Sequence, residues 1–203
     1  MESSQYIERI SHPLPPVWNT ESEVLLLGTM PSPASRKSGF FYMHPQNRFW
    51  KVLPALFGES LSLPNNADDI DGAAEERKDF LLRHRIALWD VLAECDIHGA
   101  ADSTIRNAVP NDFTEIFTRS KIRRVFCTGK TAFKLWQKHC EDRYRPFNIQ
   151  CGCLPSTSPA NAAWTLEKLV EAYKVIVEQI CKEPLEIEFP EVPHALSSIF
   201  VCK

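Results

Sequence analysis

The sequence contains few glycines, seven in 203 residues, and they do not form a nucleotide-binding loop. The Gly-x-Gly-x-x-Gly pattern of dinucleotide-binding enzymes does not occur. Gly129-Lys130-Thr131 is similar to the end of a P-loop, but a P-loop has another glycine where this sequence has Arg124. Dinucleotide-dependent enzymes and P-loop NTPases are therefore not expected.

The sequence also lacks a long apolar run, since no stretch approaches the roughly 20 residues of a membrane span. Residues 1–9 are too polar for a signal peptide. We therefore expect a cytoplasmic protein without a membrane partner.

The cysteines do not indicate a metal centre. Seven are present, none in a C-x-x-C pair, and the Cys151-Gly152-Cys153 spacing is unusual for zinc or iron–sulfur ligands. An odd number of cysteines favours reduced thiols. We predict no metal and no organic cofactor.

Excess positive charge is missing as well, because the formal net charge is -3. Binding DNA phosphates needs Lys and Arg. However, residues 183–203 contain four acids and one lysine, so residues 1–182 carry no formal net charge. A neutral body can still present a basic face. Two clusters are candidates for such a face, or for ordinary solvated charge on helix ends and loops: Arg119, Lys121, Arg123 and Arg124, and Arg143 with Arg145.

Four short apolar segments predict strands, at residues 24–28, 86–92, 124–128 and 147–153. The first is continuously apolar and ends in Gly28, which is typical of a parallel strand buried on both faces. Helices are predicted over residues 47–57, 73–84, 112–120, 130–139 and 159–182. This alternation predicts an α/β fold, a three-layer α/β/α domain with a central, mainly parallel four-stranded sheet.

The length fits one domain, because 203 residues with 44% hydrophobic content can bury one sizeable core. We predict a single domain over residues 1–182, with a polar surface loop at residues 59–72. Residues 183–203 form an acidic, proline-containing tail, which either folds back as an extended arm or stays mobile.

Two polar segments follow the first and last predicted strands. They are Gly28-Thr29-Met30-Pro31-Ser32, which leads into an aromatic block at residues 39–50, and residues 154–161. Ligands of open parallel sheets collect at the carboxyl ends of the strands. Small hydroxyls beside aromatics suit phosphate contact and base stacking, although Ser and Thr are also common helix caps. Likewise, four aromatics are either core or a base platform: Phe40, Phe41, Phe49 and Trp50.

These two segments resemble the loops of the uracil-DNA glycosylase superfamily. Members carry a Gly-x-x-Pro-[Tyr/Gly/Ser] loop after the first strand and an x-Pro-Ser loop after the last, here Gly28 to Ser32 and Leu154 to Ser156. The block at residues 41–51 is similar to mismatch-specific uracil and thymine glycosylases. The whole pattern, over residues 24–173, is most similar to the hypoxanthine (deoxyinosine) DNA glycosylase branch.

The sequence departs from the superfamily pattern at two positions. Met30 replaces the Asp or Asn that positions the attacking water, and Leu154 replaces a His or Asn that holds the uracil carbonyl. Similarity to the hypoxanthine branch moves the catalytic role to Asn47, which would orient water by hydrogen bonding because an amide is no general base. Alternatively, Asn47 caps the helix that follows it.

The resemblance assigns the other loop residues to a base pocket and to DNA contacts. The base-pocket residues are Gly28, Thr29, Met30, Pro31, Tyr42, His44 and Leu154, with Tyr42 stacking on the flipped base. The DNA contacts are Ser32, Ser156, Thr157, Ser158 and Asn161, with Ser158 where other members insert a wedge between bases.

The resemblance implies a monofunctional DNA repair glycosylase. Such an enzyme flips a deaminated base, here hypoxanthine, out of DNA and hydrolyses its N-glycosidic bond to leave an abasic site. The alternatives are a mismatch-specific uracil or thymine glycosylase, a DNA-binding member without chemistry, and a plain structural domain. DNA is the expected partner and a monomer the expected state, because the DNA-binding face must stay open.

Overall fold

The computed structural model describes residues 7–99 and 101–180. The strands are β1 (Glu8–Ser11), β2 (Val24–Gly28), β3 (Ile86–Asp90), β4 (Leu92–Ile97), β5 (Arg106–Pro110), β6 (Arg124–Thr128) and β7 (Gln150–Leu154). The α-helices are α1 (Pro33–Ser38), α2 (Phe49–Ala55), α3 (Ile70–Arg83), α4 (Thr114–Arg119), α5 (Lys130–His139), α6 (Glu141–Tyr144) and α7 (Leu166–Ile180). Short 3₁₀ helices cover Asp102–Thr104 and Arg145–Phe147.

Strand β2 lies inside a four-stranded parallel sheet with the order β3-β2-β6-β7. All five of its residues are buried, as expected for a strand covered on both faces. Side chains alternate between those faces, because successive residues of a strand point in opposite directions. The predicted fold class is therefore confirmed.

Each face of the parallel sheet packs against its own layer. Leu26 and Leu88 belong to the core formed with α2, α3 and α7. Leu25 and Val125 belong to the core formed with α4, α5 and strand β4. A truncation such as Leu25→Ala would cost about 2–5 kcal/mol of unfolding free energy, because it leaves a cavity in a packed layer.

A second sheet, antiparallel with the order β1-β4-β5, was not predicted. The prediction of one strand over residues 86–92 was wrong, because β3 ends at Asp90 and β4 begins at Leu92. Apolar residues continue across this break, so the sequence pattern gave no sign of it. Strands β1 and β5 are largely exposed and lack the apolar run or alternation that predicts a strand.

Several predicted boundaries also move. Helix α7 begins at Leu166 rather than at residue 159, because residues 159–165 form turns and Thr165 accepts from the Lys168 N–H. Helix α3 begins inside the predicted loop 59–72, where the Asp69 carboxylate caps it by accepting from the Gly72 N–H at 2.8 Å. The last strand, β7, begins at Gln150 rather than at residue 147, because residues 145–147 form a 3₁₀ helix.

The predicted tail, residues 183–203, lies outside the described residues, so its role and the domain boundary at 182 stay predictions. Within residues 7–99 and 101–180, no helix is long and apolar enough to cross a membrane.

Candidate active site

A cleft of about 650 Å³ opens where three parallel strands end. Gly28 ends β2, Asp90 ends β3 and Thr128 ends β6, and all three line the cleft. This is the edge at which open α/β sheets bind ligands, because the strand ends and the following loops leave backbone polar groups accessible.

The cleft brings the two predicted loops together. Its lining includes these predicted site residues: Gly28, Thr29, Met30, Pro31, Ser32, Tyr42, His44, Asn47, Ser156, Thr157, Ser158 and Asn161. Leu154 is not among the lining residues. It is 5% exposed and packs in the core of α2, α3 and α7, because the last residue of β7 points into that layer.

Gly28 is required by the close approach of two side chains. A Cβ atom at this position would lie 2.1 Å from Asp90 Oδ1 and 2.8 Å from the Tyr42 hydroxyl. Both distances are well inside van der Waals contact, so any other residue would displace the carboxylate or the tyrosine. The glycine of the first loop therefore lets a carboxylate sit at the end of β2.

The rest of the first loop is held by its own polar groups. Met30 lines the cleft half-buried, and the Pro31 carbonyl accepts from Arg36 at 3.1 Å. The Ser32 hydroxyl accepts from the Ser35 N–H and caps α1. Ser32, predicted to contact phosphate, therefore already serves as a helix cap in this structure.

Tyr42 has one ring face covered and its hydroxyl fixed. Its ring stacks on Phe49 with centroids 3.9 Å apart and planes 7° apart. Thr128 Oγ1 donates to the Leu27 carbonyl, so Tyr42 is the donor in its 2.7 Å contact with Thr128. Burial, and secondarily the nearby Asp90 carboxylate, raises the pKa of Tyr42 well above its ordinary value. Tyr42 thus stays a neutral hydrogen-bond donor.

The side-chain oxygen of Asn47 accepts a hydrogen bond at the start of α2, which is the helix-capping role predicted as the alternative to catalysis. Asn47 Oδ1 accepts from the Phe49 N–H at 2.9 Å, at the start of α2, and from Thr157 Oγ1 at 2.9 Å. An amide oxygen has two lone pairs, and both are used. Only the Nδ2 donors of Asn47 remain available to a ligand or a water in the cleft.

The second loop is organised mainly by internal contacts. Thr157 is 1% exposed, so it links this loop to Asn47 rather than offering its hydroxyl to solvent. Asn161 Nδ2 donates to the Ser156 carbonyl at 2.8 Å, and Ser156 Oγ accepts from the Ser158 N–H at 3.2 Å. The four predicted DNA-contact residues of the second loop therefore form one folded turn that lines the cleft.

Arg48 fixes that turn, although sequence reasoning assigned it no role. Its guanidinium donates to the carbonyls of Thr157 at 3.2 Å, Ser158 at 2.6 Å and Asn161 at 3.1 Å, and also to the Trp164 carbonyl. One cation thus satisfies four backbone acceptors in residues 157–164. The only sequence signal was an arginine between a predicted cap and a helix.

A buried arginine supports the segment that carries Tyr42 and Asn47. Arg77, 1% exposed, donates to Asn65 Oδ1 at 3.0 Å. Asn65 Nδ2 lies within hydrogen-bond distance of three carbonyls of that segment, those of Tyr42, His44 and Asn47. Burial lowers the pKa of Arg77. Arg77 of α3 therefore helps to position this segment of the cleft wall through Asn65.

Asp90 is a site residue that sequence reasoning did not single out. It is 3% exposed, and its Oδ2 lies 2.9 Å from His12 Nε2. The Leu14 N–H donates to His12 Nδ1, so the ring proton must be on Nε2, and His12 donates to Asp90. A polar residue ending an otherwise apolar strand was the available signal.

Asp102, in the 3₁₀ helix between β4 and β5, is the second carboxylate of the cleft. Thr29 Oγ1 donates to Asp102 Oδ2 at 2.8 Å. Burial raises the pKa of Asp102, the hydrogen bond from Thr29 lowers it, and the nearby Asp90 raises it further. Sequence analysis missed Asp102 because the hairpin that carries it was itself missed.

The predicted basic clusters do not border the cleft. Arg124 begins β6, so it lies about 13 Å along the strand from the cleft residue Thr128. Of the candidates, four form ion pairs with nearby acids: Arg119 with Glu115, Lys121 with Glu21, Arg143 with Asp112, and Arg145 with Asp142. The solvated-charge interpretation therefore describes these residues.

The four aromatics predicted to be either core or a base platform belong to the hydrophobic core. Phe40, Phe41, Phe49 and Trp50 are between 0% and 7% exposed. Phe41 alone among them also reaches the cleft wall. Within residues 7–99 and 101–180, no three His, Cys, Asp or Glu side chains are grouped to hold a metal ion.

Known proteins are similar to this chain over most of its length. The family profile of the Uracil DNA glycosylase superfamily matches residues 15–180. The chain is 31% identical over 153 residues to the Hypoxanthine DNA glycosylase of Methanosarcina acetivorans, covering 75% of this chain and 89% of the relative. It is 33% identical over 100 residues to the Hypoxanthine DNA glycosylase of Methanosarcina barkeri, covering 49% of this chain and 58% of the relative.

A solved structure has the same fold. The solution NMR structure of a candidate uracil DNA glycosylase from Methanosarcina acetivorans matches with a TM-score of 0.67 at 28% sequence identity. The match covers 85% of this chain and 99% of the other. The family resemblance predicted from the two loops is confirmed. The chain belongs to the uracil DNA glycosylase superfamily and is an enzyme of that class, a DNA glycosylase.

Proposed function

We propose that this enzyme removes hypoxanthine from DNA and leaves an abasic site. The observation that carries the proposal is the Asp90 carboxylate at the floor of the cleft, held by His12 and packed against Gly28. The names of the two Methanosarcina relatives support the same substrate.

Asp90 suits a deaminated base because of what deamination changes. Adenine presents a lone pair at N1, whereas hypoxanthine presents an N1–H donor. Since His12 donates to Asp90 Oδ2, the carboxylate is an acceptor and can take an N–H from the base through Oδ1. Adenine would place a lone pair against that oxygen. Adenine should therefore bind more weakly than hypoxanthine, because two acceptors would face each other with no proton between them.

Uracil shares this logic, because its N3–H replaces the acceptor N3 of cytosine. The difference between the substrates therefore lies elsewhere in the cleft. A cleft of about 650 Å³ has room for a purine. Leu154 is buried in the core and offers no polar group to a uracil carbonyl. Both points favour the purine over the mismatch-specific uracil or thymine alternative.

The chemistry proposed is hydrolysis without a lyase step. Breaking the bond between sugar and base leaves negative charge on the base, which hydrogen-bond donors in the cleft stabilise. The Nδ2 group of Asn47 is such a donor, because the oxygen of this amide is already engaged by Phe49 and Thr157, whereas the Tyr42 hydroxyl proton is already donated to Thr128. A lyase would need an amine to form a Schiff base, and no lysine lines the cleft within the described residues.

DNA would bind along the rim formed by the second loop. The backbone turn at residues 156–161 and the charge of Arg48 behind it face the edge at which a flipped nucleotide would enter. We further propose a cytoplasmic enzyme that needs no metal, and a monomeric one because the DNA-binding face must stay open.

The test is release of the base from labelled duplexes that contain hypoxanthine, uracil, a mispaired thymine or no lesion, followed by alkaline cleavage of abasic sites. We expect cleavage of the hypoxanthine duplex, and its loss in Asp90→Ala and Asn47→Ala. Arg119→Ala, in an exposed ion pair with Glu115 and outside the lining of the cleft, is the matched control and should cleave normally. Preference for uracil or mispaired thymine would favour the pyrimidine alternative, and binding of all duplexes without cleavage would favour a binding module.

A further inference from the structure

The cleft contains two carboxylates among its described lining residues, and only one of them is needed to hold the base. Asp90 and Asp102 come from different elements, the end of β3 and the β4–β5 connection. Asp90 is locked to His12 at the floor. Asp102 also lines the cleft, half-buried, with one oxygen accepting a hydrogen bond from Thr29.

No other polar group of the first loop or of the capping segment can take a proton from water. Met30 has no basic atom, and both lone pairs of Asn47 Oδ1 are occupied by Phe49 and Thr157. Tyr42 is a neutral donor. His44 Nδ1 accepts from the Gln46 N–H, which leaves its other ring nitrogen to carry the proton.

Asp102 has the features of a base. It faces the cleft, and no Lys or Arg within the described residues forms an ion pair with it, so its oxygens are not neutralised by a cation. Its Oδ2 accepts from Thr29, and Thr29 follows Gly28 directly, which ties the carboxylate to the loop against which the base is expected to lie. Oδ1 has no donor among the described residues and can accept from water.

We propose that Asp102 is the general base of the reaction. The inference rests on the proposed function. The bond between the sugar C1′ and the base nitrogen breaks, and its electron pair leaves with the base. A water oxygen forms the new bond to C1′, and the proton it loses passes to Asp102. The base anion takes a proton from solvent, so that atoms and charge balance.

The environment of the Asp102 carboxylate determines how the rate of base release depends on pH. Three groups face the carboxylate: Thr29, the Asp90 carboxylate and the Cys95 thiol, whose own pKa is raised by burial. Burial, opposed by Thr29 and reinforced by Asp90, raises the pKa of Asp102 above its ordinary value of 3.8. The ionised form is the active base, so the rate must fall as the pH falls through this raised pKa.

The experiment is single-turnover cleavage of a hypoxanthine duplex between pH 4.5 and 8, at saturating enzyme. Asp102→Asn keeps an oxygen for the Thr29 hydroxyl but cannot accept a proton. We expect its rate to fall by about 100-fold or more, the usual contribution of a general base. Its acid limb should disappear, while DNA affinity and melting temperature stay close to those of the natural protein.

A second variant separates chemistry from folding. Thr29→Val removes the hydrogen bond that lowers the pKa of Asp102, so the acid limb should move to higher pH. A merely structural contact would not move it. Asp112→Asn, an exposed acid remote from the cleft, should keep the natural rate and limb.

The outcomes distinguish an error about Asp102 from an error about the substrate. If the natural protein releases hypoxanthine while Asp102→Asn keeps its rate and acid limb, the proposed base is wrong and the proposed function stands. If the natural protein releases no hypoxanthine but cleaves another lesion, the same variants on that substrate decide the role of Asp102. An unchanged limb in Thr29→Val would also overturn the proposal.

Discussion

Replacing Arg48 with alanine tests whether one side chain holds the DNA-facing turn. The guanidinium donates to four backbone carbonyls in residues 157–164, and no acid among the described residues competes for it. In Arg48→Ala all four carbonyls lose the guanidinium together, while those of Thr157, Ser158 and Asn161 each keep one backbone N–H donor. Water reaches part of the turn, because Ser158 and Asn161 are half-buried rather than fully buried.

The magnitude follows from those contacts. A hydrogen bond from a charged donor contributes about 1.5–3 kcal/mol when buried, and much of that is recovered when water replaces it. We therefore expect Arg48→Ala to lower the free energy of unfolding by about 2–4 kcal/mol. For a chain of this size each kcal/mol shifts the melting temperature by about 2–4 °C, so the expected decrease is about 5–15 °C.

Thermal unfolding followed by circular dichroism measures this decrease, and a DNA-binding titration measures the loss of the turn. The matched control is Arg119→Ala, whose exposed pair with Glu115 contributes only about 0.3–0.5 kcal/mol. We expect the melting temperature of Arg48→Lys to lie between those of the two alanine variants. A lysine keeps the positive charge, but its ammonium lacks the planar, forked donors with which arginine reaches four carbonyls. Equal melting temperatures and equal DNA affinities for Arg48→Ala and Arg119→Ala would refute the reasoning.

Three further predictions concern the floor of the cleft, its support and acid stability. Gly28→Ala would push its new methyl group against Asp90, 2.1 Å away, so base release should fall at least tenfold while DNA affinity in a gel-shift titration changes little. Arg77→Met removes the guanidinium that donates to the half-buried Asn65 oxygen and to the Leu63 and Ala73 carbonyls, and urea unfolding should show a loss of about 2–4 kcal/mol. The Thr114 hydroxyl and N–H lower the pKa of Asp112 to about 2, so this group stabilises the fold above its ordinary pKa of 3.8 and the effect is lost as the pH falls toward 2. Asp112→Asn should therefore unfold with a smaller dependence on pH between 4 and 2, and an unchanged acid transition would contradict this.

The parallel sheet could be predicted from the sequence because burial on both faces leaves a clear pattern. Every residue of Val24–Gly28 is buried, and a run of apolar residues ending in glycine is what such a strand requires. The antiparallel sheet could not be predicted in the same way. Strand β5 is largely exposed and includes Pro110, and β1 buries only Ile10, so neither shows a pattern of its own.

The site was predictable where it lies on loops that follow apolar strands, and not where it depends on side chains brought in from elsewhere. Tyr42 and Asn47 lie in a block whose sequence is distinctive. Asp102 reaches the cleft only because the hairpin of β4 and β5 folds over Thr29, and His12 reaches Asp90 from a segment 78 residues away. Sequence spacing carries no information about such contacts.

The two departures from the superfamily pattern acquire a common explanation in the proposed chemistry. Met30 and Leu154 remove polar groups from the two loops, yet the cleft is not apolar, because Asp90 and Asp102 enter it from β3 and from the β4–β5 connection. Because the acceptors come from these elements rather than from the loops, the site differs both in the bases it can recognise and in the group that can assist the attacking water. A fixed acceptor at the floor favours bases that carry an N–H there, and a second carboxylate on the wall can serve the attacking water. Burial raises the pKa of Asp102, the Thr29 hydrogen bond opposes that shift and the nearby Asp90 carboxylate adds to it, while Asp90 itself is held by His12.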